Sequence, residues 1–396
     1  MRWEKVTLGN ISSIIQTGPF GSQLHQSDYS EEGTPVVMPK DLVNGHISEA
    51  SIARVSEDYV NRLSRHKIEV GDILYSRRGD VGRCAFATEL EQGWLCGTGC
   101  LRVTIDKRKA IPQFVFYQLQ KAETVGWVEK HAVGATMLNL NTSILSSVPI
   151  DIPSLAEQQA IVDVLSTYDD LIENNKKQIK LLEEAAQRLY KEWFIDLHFP
   201  GHEITPIVDG VPEGWREQSL YQIADVVMGQ SPKSEYYNQV GEGLPFHQGV
   251  GSYGNRFVSD ETYSTSFTRI AEAGSILFSV RAPVGRLNLT KNKVVIGRGL
   301  AAINHRRRAQ SYLFYLLKEK FFRDDIIGNG SIFASISKEE LLNQKFLIPI
   351  DSLVGQFNGI AGGIDKKIDI LSEQIRLLTE ARDRLLPKLM SGEIEV

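Results

Sequence analysis

The chain of 396 residues contains few cysteines and no long apolar run. Its three cysteines, Cys84, Cys96 and Cys100, are too few for a disulfide framework. Cys96 and Cys100 lack a second cysteine pair or a neighbouring histidine to complete a zinc site. We therefore expect three small buried side chains and no metal site, because the eight histidines also form no paired cluster.

Targeting and membrane signals are also missing. No stretch approaches the roughly 18 apolar residues that a membrane-spanning helix needs. The first residues, MRWEKVTLGN, lack the apolar core of a signal peptide, so we expect a cytoplasmic protein.

The net charge of −5 lacks the basic excess that is usual in nucleic-acid-binding proteins, but the acidity is uneven. Residues 1–153 carry 16 basic and 17 acidic side chains (−1), and residues 201–349 carry 17 and 15 (+2). The intervening residues 154–200 carry 5 and 9 (−4), and residues 350–396 carry 6 and 8 (−2). The two larger segments are thus near neutral and compatible with DNA binding.

An internal repeat organises the sequence. Trp3, Leu8 and Ile11 recur as Trp215, Leu220 and Ile223, an offset of 212, and Gly71-Asp72-Ile73-Leu74 recurs as Gly274-Ser275-Ile276-Leu277, an offset of 203. The offset falls to 196 by Ile152-Pro153 and Ile348-Pro349 and then stays there. The two copies therefore differ by loop insertions in their first parts and by none in their last parts.

Each copy divides into two parts. The first is a mixed α/β (α+β) segment with frequent glycines, in which Gln113–Lys121 is predicted as a helix and Phe346–Ile348 as a strand. The second is a long helix that begins after Pro153 or Pro349, because proline is tolerated at a helix start. We predict globular domains at 1–153 and 201–349, and spacer helices at 154–200 and 350–396.

Apolar side chains in the two helices alternate spacings of three and four, which is typical of a coiled coil. Asn175, Ala186 and Arg382 fall in the same frame. Because the copies are equivalent, each helix is the natural antiparallel partner of the other; the alternative is that each lies on its own globular domain. The predicted apolar seam comprises Tyr168, Ile172, Ile179, Leu182, Leu189, Ile364, Ile368, Leu371, Ile375, Leu378 and Leu385.

Several motifs carry a family resemblance. Pro153–Gln159, Leu189–Phe194 with Asp196 and Phe199–Gly201, and Arg384–Ile394 resemble the conserved regions of Type I restriction–modification specificity subunits. Thr17–His25 is similar to one class of target recognition domain, and Gly229–Pro232, Pro245–Gly249 and Gly297–Leu300 are similar to another. The second copy departs from the first in having Val354-Gly355-Gln356 in place of a Glu-Gln pair.

The resemblance implies a non-catalytic subunit. Each recognition domain would read one half of a split, asymmetric DNA target, with the helices as a ruler on which methylation subunits, two of them, dock. Motor–nuclease subunits would join through the assembled complex. The alternative is a scaffold whose two heads bind protein.

Catalytic and cofactor motifs are missing as well. The sequence contains neither the Asp/Asn-Pro-Pro-aromatic tetrad of amino-methyltransferases nor a phosphate-binding loop. Gly249–Gly254 fits the dinucleotide pattern, but we expect neither a preceding apolar strand nor a following amphipathic helix. We predict no cofactor.

Base edges in DNA are read mainly by Arg, Lys, Asn, Gln and Ser side chains, so polar residues in Gly- and Pro-rich loops are the candidates for DNA contact. Each could equally be a solvated loop residue. The predicted DNA-contacting residues are Gln16, Gln23, His25, Lys40, Asp41, Arg77 and Arg78 in the first domain, and Gln230, Ser231, Tyr236, His247, Gln248, Arg281 and Arg298 in the second.

Overall fold

The computed structural model describes residues 3–20, 23–134, 138–321 and 335–396. The chain divides into two compact units, the first Met1–Asn174 with Gln374–Val396 and the second Asn175–Glu373. Each unit contains a part of both long helices. Within the described ranges, no helix combines the length and apolar character needed to cross a membrane.

The helices are short in the globular parts and long in two places. Their bounds are α1 Leu8–Ile11, α2 Glu57–Arg62, α3 Pro112–Leu119, α4 Ala122–His131, α5 Thr142–Ser146, α6 Leu155–Phe194, α7 Leu220–Ile223, α8 Gln310–Phe321, α9 Lys338–Leu342 and α10 Asp351–Leu389. The predicted helix at Gln113–Lys121 is therefore present as α3. Both long helices begin two residues after a proline, as predicted.

The strands are short and mostly antiparallel. In the first unit they are β1 Glu4–Thr7, β2 Ser12–Thr17, β3 Thr34–Val37, β4 Leu42–Val43, β5 His46–Ile47, β6 Ala53–Val55, β7 Ile73–Ser76, β8 Cys84–Phe86, β9 Leu95–Cys96, β10 Cys100–Ile105 and β11 Pro149–Ile152. In the second unit they are β12 Ile207–Val208, β13 Val211–Pro212, β14 Arg216–Ser219, β15 Ala224–Met228, β16 Tyr237–Asn238, β17 Leu244–His247, β18 Tyr263–Ser264, β19 Ile270–Ala271, β20 Ile276–Ser279, β21 Leu287–Leu289, β22 Val294–Ile296, β23 Leu300–His305 and β24 Lys345–Ile348.

The same sheet is built twice. Its strand order is β2-β10-β7-β8 in the first unit and β15-β23-β20-β21 in the second. In both units, a second sheet contains a parallel pair, β3 with β9 and β17 with β22. The strand that precedes the first short helix of each repeat also pairs with the last strand of that repeat, as β1 with β11 and β14 with β24. The sequence repeat is therefore a repeat of topology.

Local capping explains how each repeat starts. Thr7 accepts a hydrogen bond from the Asn10 amide at 3.3 Å, and the Asn10 side chain accepts one from the Thr7 amide at 3.1 Å. The second copy has Ser219, whose amide donates to Gln222 Oε1 at 2.8 Å. Such reciprocal pairs satisfy orphan amides at a helix start, so short α1 and α7 are fixed by their first residues.

One expectation about the glycine-rich segment was wrong. A strand does precede Gly249–Gly254: it is β17, Leu244–His247, in which Pro245, Phe246 and His247 are buried. A single 3-10 turn, Val250–Ser252, follows it in place of an amphipathic helix. A helix N-terminus for a dinucleotide phosphate is therefore missing from this described segment.

The long helices pair within each unit and also join its core. In the first unit Ile161 and Leu165 are buried in the same cluster as Leu389, and further along Asp169 accepts from Arg382 at 2.8 Å. This order makes the pair antiparallel. In the second unit the rings of Tyr190, Trp193 and Phe194 lie 5.7, 6.0 and 5.2 Å from that of Phe357.

Every predicted apolar seam position is buried or half-buried. Some apolar side chains outside the seam on the same helices are exposed, with Leu171 at 45%, Leu181 at 64% and Ile370 at 53%. The polar Arg382 is accommodated in the seam because Asp169 and Asp383 both pair with it at 2.8 Å.

Candidate nucleic-acid interface

Four loops meet at one edge of the first unit, where strands of its two larger sheets end. Backbone bonds tie them together: Gly18 N–H donates to Cys100 O at 2.9 Å, and Gly97 N–H donates to Val37 O at 2.9 Å. Arg77 N–H donates to Gly99 O at 2.8 Å. We call these loops, residues 17–25, 38–41, 77–83 and 97–99, the first loop cluster; Gly21 and Ser22 lie outside the described residues.

Glycine is needed where the loops cross. A Cβ at Gly18 would lie 1.9 Å from the carbonyl oxygen of Gly97, and one at Gly97 would lie 2.6 Å from that of Val37. Real Cβ atoms do not approach backbone oxygens so closely, so a side chain at either place would push the loops apart.

Arg77 and Gln23 are brought together around Phe20. The Arg77 guanidinium lies 5.4 Å from the Phe20 ring centroid, and the Phe20 amide donates to Gln23 Oε1 at 3.2 Å. Arg62, on α2, donates to the Gln23 carbonyl at 2.8 Å. Phe20 is 51% exposed and Arg62 is exposed, whereas Arg77 is half-buried beside them. Arg78, the next residue, is exposed.

Lys40 and Asp41 have different environments although they are neighbours. Lys40 is exposed, and its ammonium donates to Ser51 Oγ at 3.2 Å. The Asp41 side chain is 2% exposed, and its carboxylate accepts from the Met38 amide at 2.9 Å. Burial raises the Asp41 carboxyl pKa. The expected surface contact by Asp41 does not fit this geometry, because its carboxylate closes the turn.

Gln16 and His25 lie at the margins of the first loop cluster. The Gln16 amide group donates to the Arg65 carbonyl at 2.6 Å, which occupies one of its donors. His25 is exposed, and its backbone N–H donates to Asp28 at 2.7 Å.

The second unit carries an equivalent arrangement. Gly229 N–H donates to Leu300 O at 2.9 Å, Gly297 N–H to His247 O at 2.8 Å, and Val280 N–H to Gly299 O at 2.9 Å. We call residues 229–236, 247–252, 280–286 and 297–299 the second loop cluster. A Cβ at Gly229 would lie 2.1 Å from Gly297 O, so the crossing is as close as in the first unit.

Three predicted residues form one hydrogen-bonded group in the second loop cluster. Ser231 Oγ donates to Gln248 Oε1 at 2.9 Å and accepts from the Arg298 amide at 3.2 Å. Gln248 and Arg298 are both exposed, and their side chains are of the types that pair with adenine and guanine edges. The Gln230 amide N–H donates to Ile296 O at 2.9 Å, which places Gln230 beside this group.

His247 is buried, with 1% of its surface exposed. Its ring nitrogens lie 2.9 Å from Ser252 Oγ and 3.1 Å from Asp260 Oδ1. The hydrogen bond from His247 lowers the Asp260 pKa. The expected base contact by His247 does not fit this geometry. The ring instead ties the segment around 252–260 to the strand end that carries Gln248.

Tyr236 and Arg281 lie in separate loops of the second cluster. Tyr236 is 41% exposed, and Arg281 is exposed in the turn after β20. Because Arg77 and Val280 bond equivalent glycine carbonyls, Arg281 occupies the place of Arg78 in the repeat. In both units, an exposed arginine therefore follows the residue whose N–H donates to the glycine carbonyl.

The sequence reasoning missed Phe20 and Arg62. Phe20 carried a signal, since it stands inside the Gly-Pro-Phe-Gly segment. Arg62 carried none, because it stands in an ordinary polar helix and only its bond to the Gln23 carbonyl places it at the cluster.

The cysteines are buried, as expected from the sequence. Burial raises the thiol pKa of Cys84 and Cys96 to about 12, so neither is a thiolate near neutral pH.

Comparison with known proteins identifies the fold and the family. The family model described as the Type I restriction modification DNA specificity domain matches twice, at residues 1–184 and 212–374. A crystal structure of a Type I restriction–modification S subunit from Mycoplasma genitalium has the same fold, with a TM-score of 0.61 and 18% identity over 98% of this chain and 96% of that one.

Two relatives extend the similarity along the whole chain. The candidate type I restriction enzyme MjaX specificity subunit of Methanocaldococcus jannaschii is 29% identical, covering 100% of this chain and 94% of its own. The HindI specificity subunit of Haemophilus influenzae is 22% identical over 99% of both chains. With two matched domains over most of its length, the chain belongs to the Type I restriction–modification DNA specificity family.

Proposed function

We propose that each globular domain reads one half of a bipartite, asymmetric DNA target through its loop cluster. Because the chain belongs to the Type I DNA specificity family, it is a DNA-specificity subunit and not an enzyme. The recognition domains would be residues 1–153 and 201–349, and the spacer segments would be residues 154–200 and 350–396.

One observation carries this proposal: the two loop clusters share a backbone frame but differ in the side chains beside the paired glycines. Between the paired glycines, the first unit has Thr98 and the second has Arg298. Val37 in the first unit and His247 in the second each accept a hydrogen bond from the equivalent glycine N–H. The residue that follows is Met38 in the first unit and Gln248 in the second. Different donor and acceptor groups on the same frame would select different bases, so the half-sites should differ.

We assign the polar groups to two roles. Gln248, Arg298 and Gln230 in the second cluster, and Arg77 and Gln23 in the first, would read base edges. Exposed cations beside them, Arg78, Arg281 and Lys40, would hold phosphates, with Tyr236, Gln16 and His25 at the margins. Asp41 and His247 would support their loops from within.

Partners follow from the same reasoning. The antiparallel helices would set the distance between the half-sites and dock two methylation subunits. Motor–nuclease subunits would join through that complex. Because the substrate is the cell's own or invading DNA, we place the work of the chain in the cytoplasm.

The direct test is methylation mapping with the cognate methylation subunit. Residues 1–153 are replaced by the first recognition domain of a family member with a known target, and residues 201–349 are replaced in a second chimaera. Each chimaera should change one half of the methylated sequence and leave the other half and the spacer intact. A change in both halves, or in neither, would contradict the two-domain reading. The protein-binding scaffold is not favoured, because both matched segments belong to a DNA-specificity domain family.

A further inference from the structure

A largely buried charge pair joins the second globular domain, residues 201–349, to the long helix α10. Arg256, in the segment between β17 and β18, pairs with Asp365 of α10, and the two side chains are 3% and 17% exposed. The guanidinium carbon also lies 3.7 Å from the centroid of the Phe314 ring in α8. The Arg256 backbone is held as well, because its carbonyl accepts from the Leu289 amide at 2.9 Å. The arginine therefore links the strands of the domain to one position on α10.

The first unit has a glycine in the place of this arginine. The Gly45 carbonyl accepts from the Phe86 amide at 3.1 Å, as the Arg256 carbonyl does from the equivalent strand. A Cβ at Gly45 would lie 3.1 Å from Cζ of Phe116 in α3, the counterpart of α8. The glycine thus lets its segment pack directly against the ring, whereas the arginine of the second unit extends across the equivalent ring to the long helix.

The aspartate is present in both repeats but has different partners. Asp169 is the counterpart of Asp365 at the constant offset of 196. Its carboxylate accepts from the Tyr117 hydroxyl at 2.6 Å and from Arg382 at 2.8 Å. Asp169 therefore joins α6 to α3 and to the other long helix, while Asp365 joins α10 to a strand segment of its own domain. The repeats differ at both members of the pair, so the link belongs to the second domain.

Such a pair fixes a position in a way that apolar contacts do not. The rings of Tyr312 and Tyr315 in α8 lie 6.2 and 6.0 Å from that of Phe357 in α10, and such contacts are non-directional. A slip of α10 by one residue, about 1.5 Å, would instead separate the charges of Arg256 and Asp365. Buried polar groups can fix register in this way without adding stability.

A second pair lies one turn further along α10. Lys291 pairs there with Asp369 at 2.7 Å, and the two side chains are 35% and 52% exposed. Water screens such a pair, so it restricts the position of the domain less than the buried one does.

We propose that Arg256 and Asp365 are positioning residues that fix the register of the second globular domain on α10, and so restrict the spacer length that the chain accepts. This inference rests on the proposed function, in which the helices set the distance between half-sites. Without the pair, apolar contacts would keep the domain attached but would allow neighbouring positions. A displacement of about 3.4 Å corresponds to one base pair. Spacers one base pair shorter or longer would then be accepted with unchanged half-sites.

Methylation by the full chain with its cognate methylation subunit tests this proposal. The duplexes keep both half-sites constant and carry the mapped spacer, one base pair fewer or one more. The double variant Arg256→Met, Asp365→Leu replaces the pair by apolar side chains of similar size, so its thermal unfolding temperature should stay the same or rise. Methylation of the two altered spacers relative to the mapped one should rise by a factor of roughly three or more, the low end of the coupling between contacting side chains.

Arg307→Met with Asp351→Leu is the matched control. This pair also joins the domain to α10, but its side chains are 71% and 76% exposed. The control should keep the spacer preference of the original chain, because exposed pairs contribute little.

Three results would overturn the proposal: an unchanged spacer preference in the Arg256 and Asp365 double variant, an equal loosening in the control, or a clear fall in the unfolding temperature of the double variant. The last would show that the pair is needed for folding. If the original chain itself selects no split target, the proposed function fails and this inference with it. A single fixed spacer in the original chain and the double variant alike rejects this inference alone.

Discussion

Among the described residues of the first unit, Arg102 and Asp72 form the most deeply buried ion pair. Their side chains are 7% and 0% exposed, and the closest charged atoms are 3.6 Å apart. Asp72 also accepts from Thr104 Oγ1 and, at 2.8 Å, from the Glu69 amide, while Arg102 donates to the Lys67 carbonyl. Burial nevertheless raises the Asp72 pKa, so the carboxylate depends on these partners to stay charged.

Arg102→Met should therefore destabilise the first unit by about 3–5 kcal/mol near neutral pH, because a buried carboxylate loses its cation. The pKa of Asp72 is raised in the folded state. Its contribution to the free energy of unfolding is therefore most favourable below the pKa of an unfolded Asp, about 3.9, and declines as pH rises. Loss of the arginine raises the Asp72 pKa in the folded state further, so the stability difference between the variant and the original chain should shrink in acid. Urea unfolding from pH 4 to pH 8 measures this.

Arg108→Met is the control, because Arg108 forms an ion pair with Asp106 while 88% exposed. Such surface pairs contribute little, so its unfolding midpoint should stay close to that of the original chain. An equal loss in both variants, or a deficit independent of pH, would contradict the role assigned to burial.

Arg298 and Arg281 should give different defects, since one is assigned to a base edge and the other to phosphate. Arg298→Ala should cost about 1–3 kcal/mol on the cognate target and relax selection at one position of the second half-site. Arg281→Ala should weaken binding to all sequences by a similar factor and reduce the salt dependence. Binding to a set of single-base target variants at two salt concentrations distinguishes them. Relaxed selection in the first half-site by either variant would refute the assignment.

At the scale of elements, the seam of the long helices provides a matched pair. Ile368 is 0% exposed, whereas Ile370, two residues along the same helix, is 53% exposed. Ile368→Ala should lower the free energy of unfolding by about 2–5 kcal/mol, because it removes buried methyl groups. Ile370→Ala should leave it within about 0.5 kcal/mol. Chemical unfolding compares the two, and equal losses would show that the heptad frame does not identify the buried face.

The regular elements were predictable because their patterns are local. The heptad spacing, the prolines before both long helices, and the apolar run Phe346–Ile348 each predicted an element that is present. The strand β17 was not predicted, because its Pro245 and His247 do not form an apolar run. Its burial comes from pairing with β22, a partner distant in sequence.

The candidate site was less predictable, since residue type does not reveal which way a loop side chain turns. Gln248 and Arg298 are both exposed and are linked by Ser231, which bonds to the Gln248 side chain and the Arg298 backbone N–H, a contact that residue type does not reveal. Asp41 and His247 have the right chemistry, yet burial commits them to the Met38 amide and to Asp260. Their roles as DNA-contacting groups or loop supports stay predictions until binding is measured.

At the scale of the whole molecule, the constant sequence offset of 196 across the helical parts contrasts with the drift of 212 to 198 in the globular parts. Insertions and deletions are thus confined to the segments proposed to choose the DNA. Neither helix has an insertion or deletion relative to the other, as an antiparallel pair with matched apolar seams requires. This contrast supports a ruler of fixed length.

Removing one heptad from each helix, residues 176–182 and 372–378, should therefore shorten the spacer between half-sites. Seven helical residues span about 10 Å at 1.5 Å each, and stacked base pairs are about 3.4 Å apart, so the spacer should lose about three base pairs. The half-site sequences should not change, because both loop clusters are untouched. Methylome sequencing in a host carrying the cognate methylation subunit measures both. Removal of four residues from each helix is the control, since it shifts the apolar seam out of register and should abolish methylation. An unchanged spacer in the heptad variant would refute the ruler.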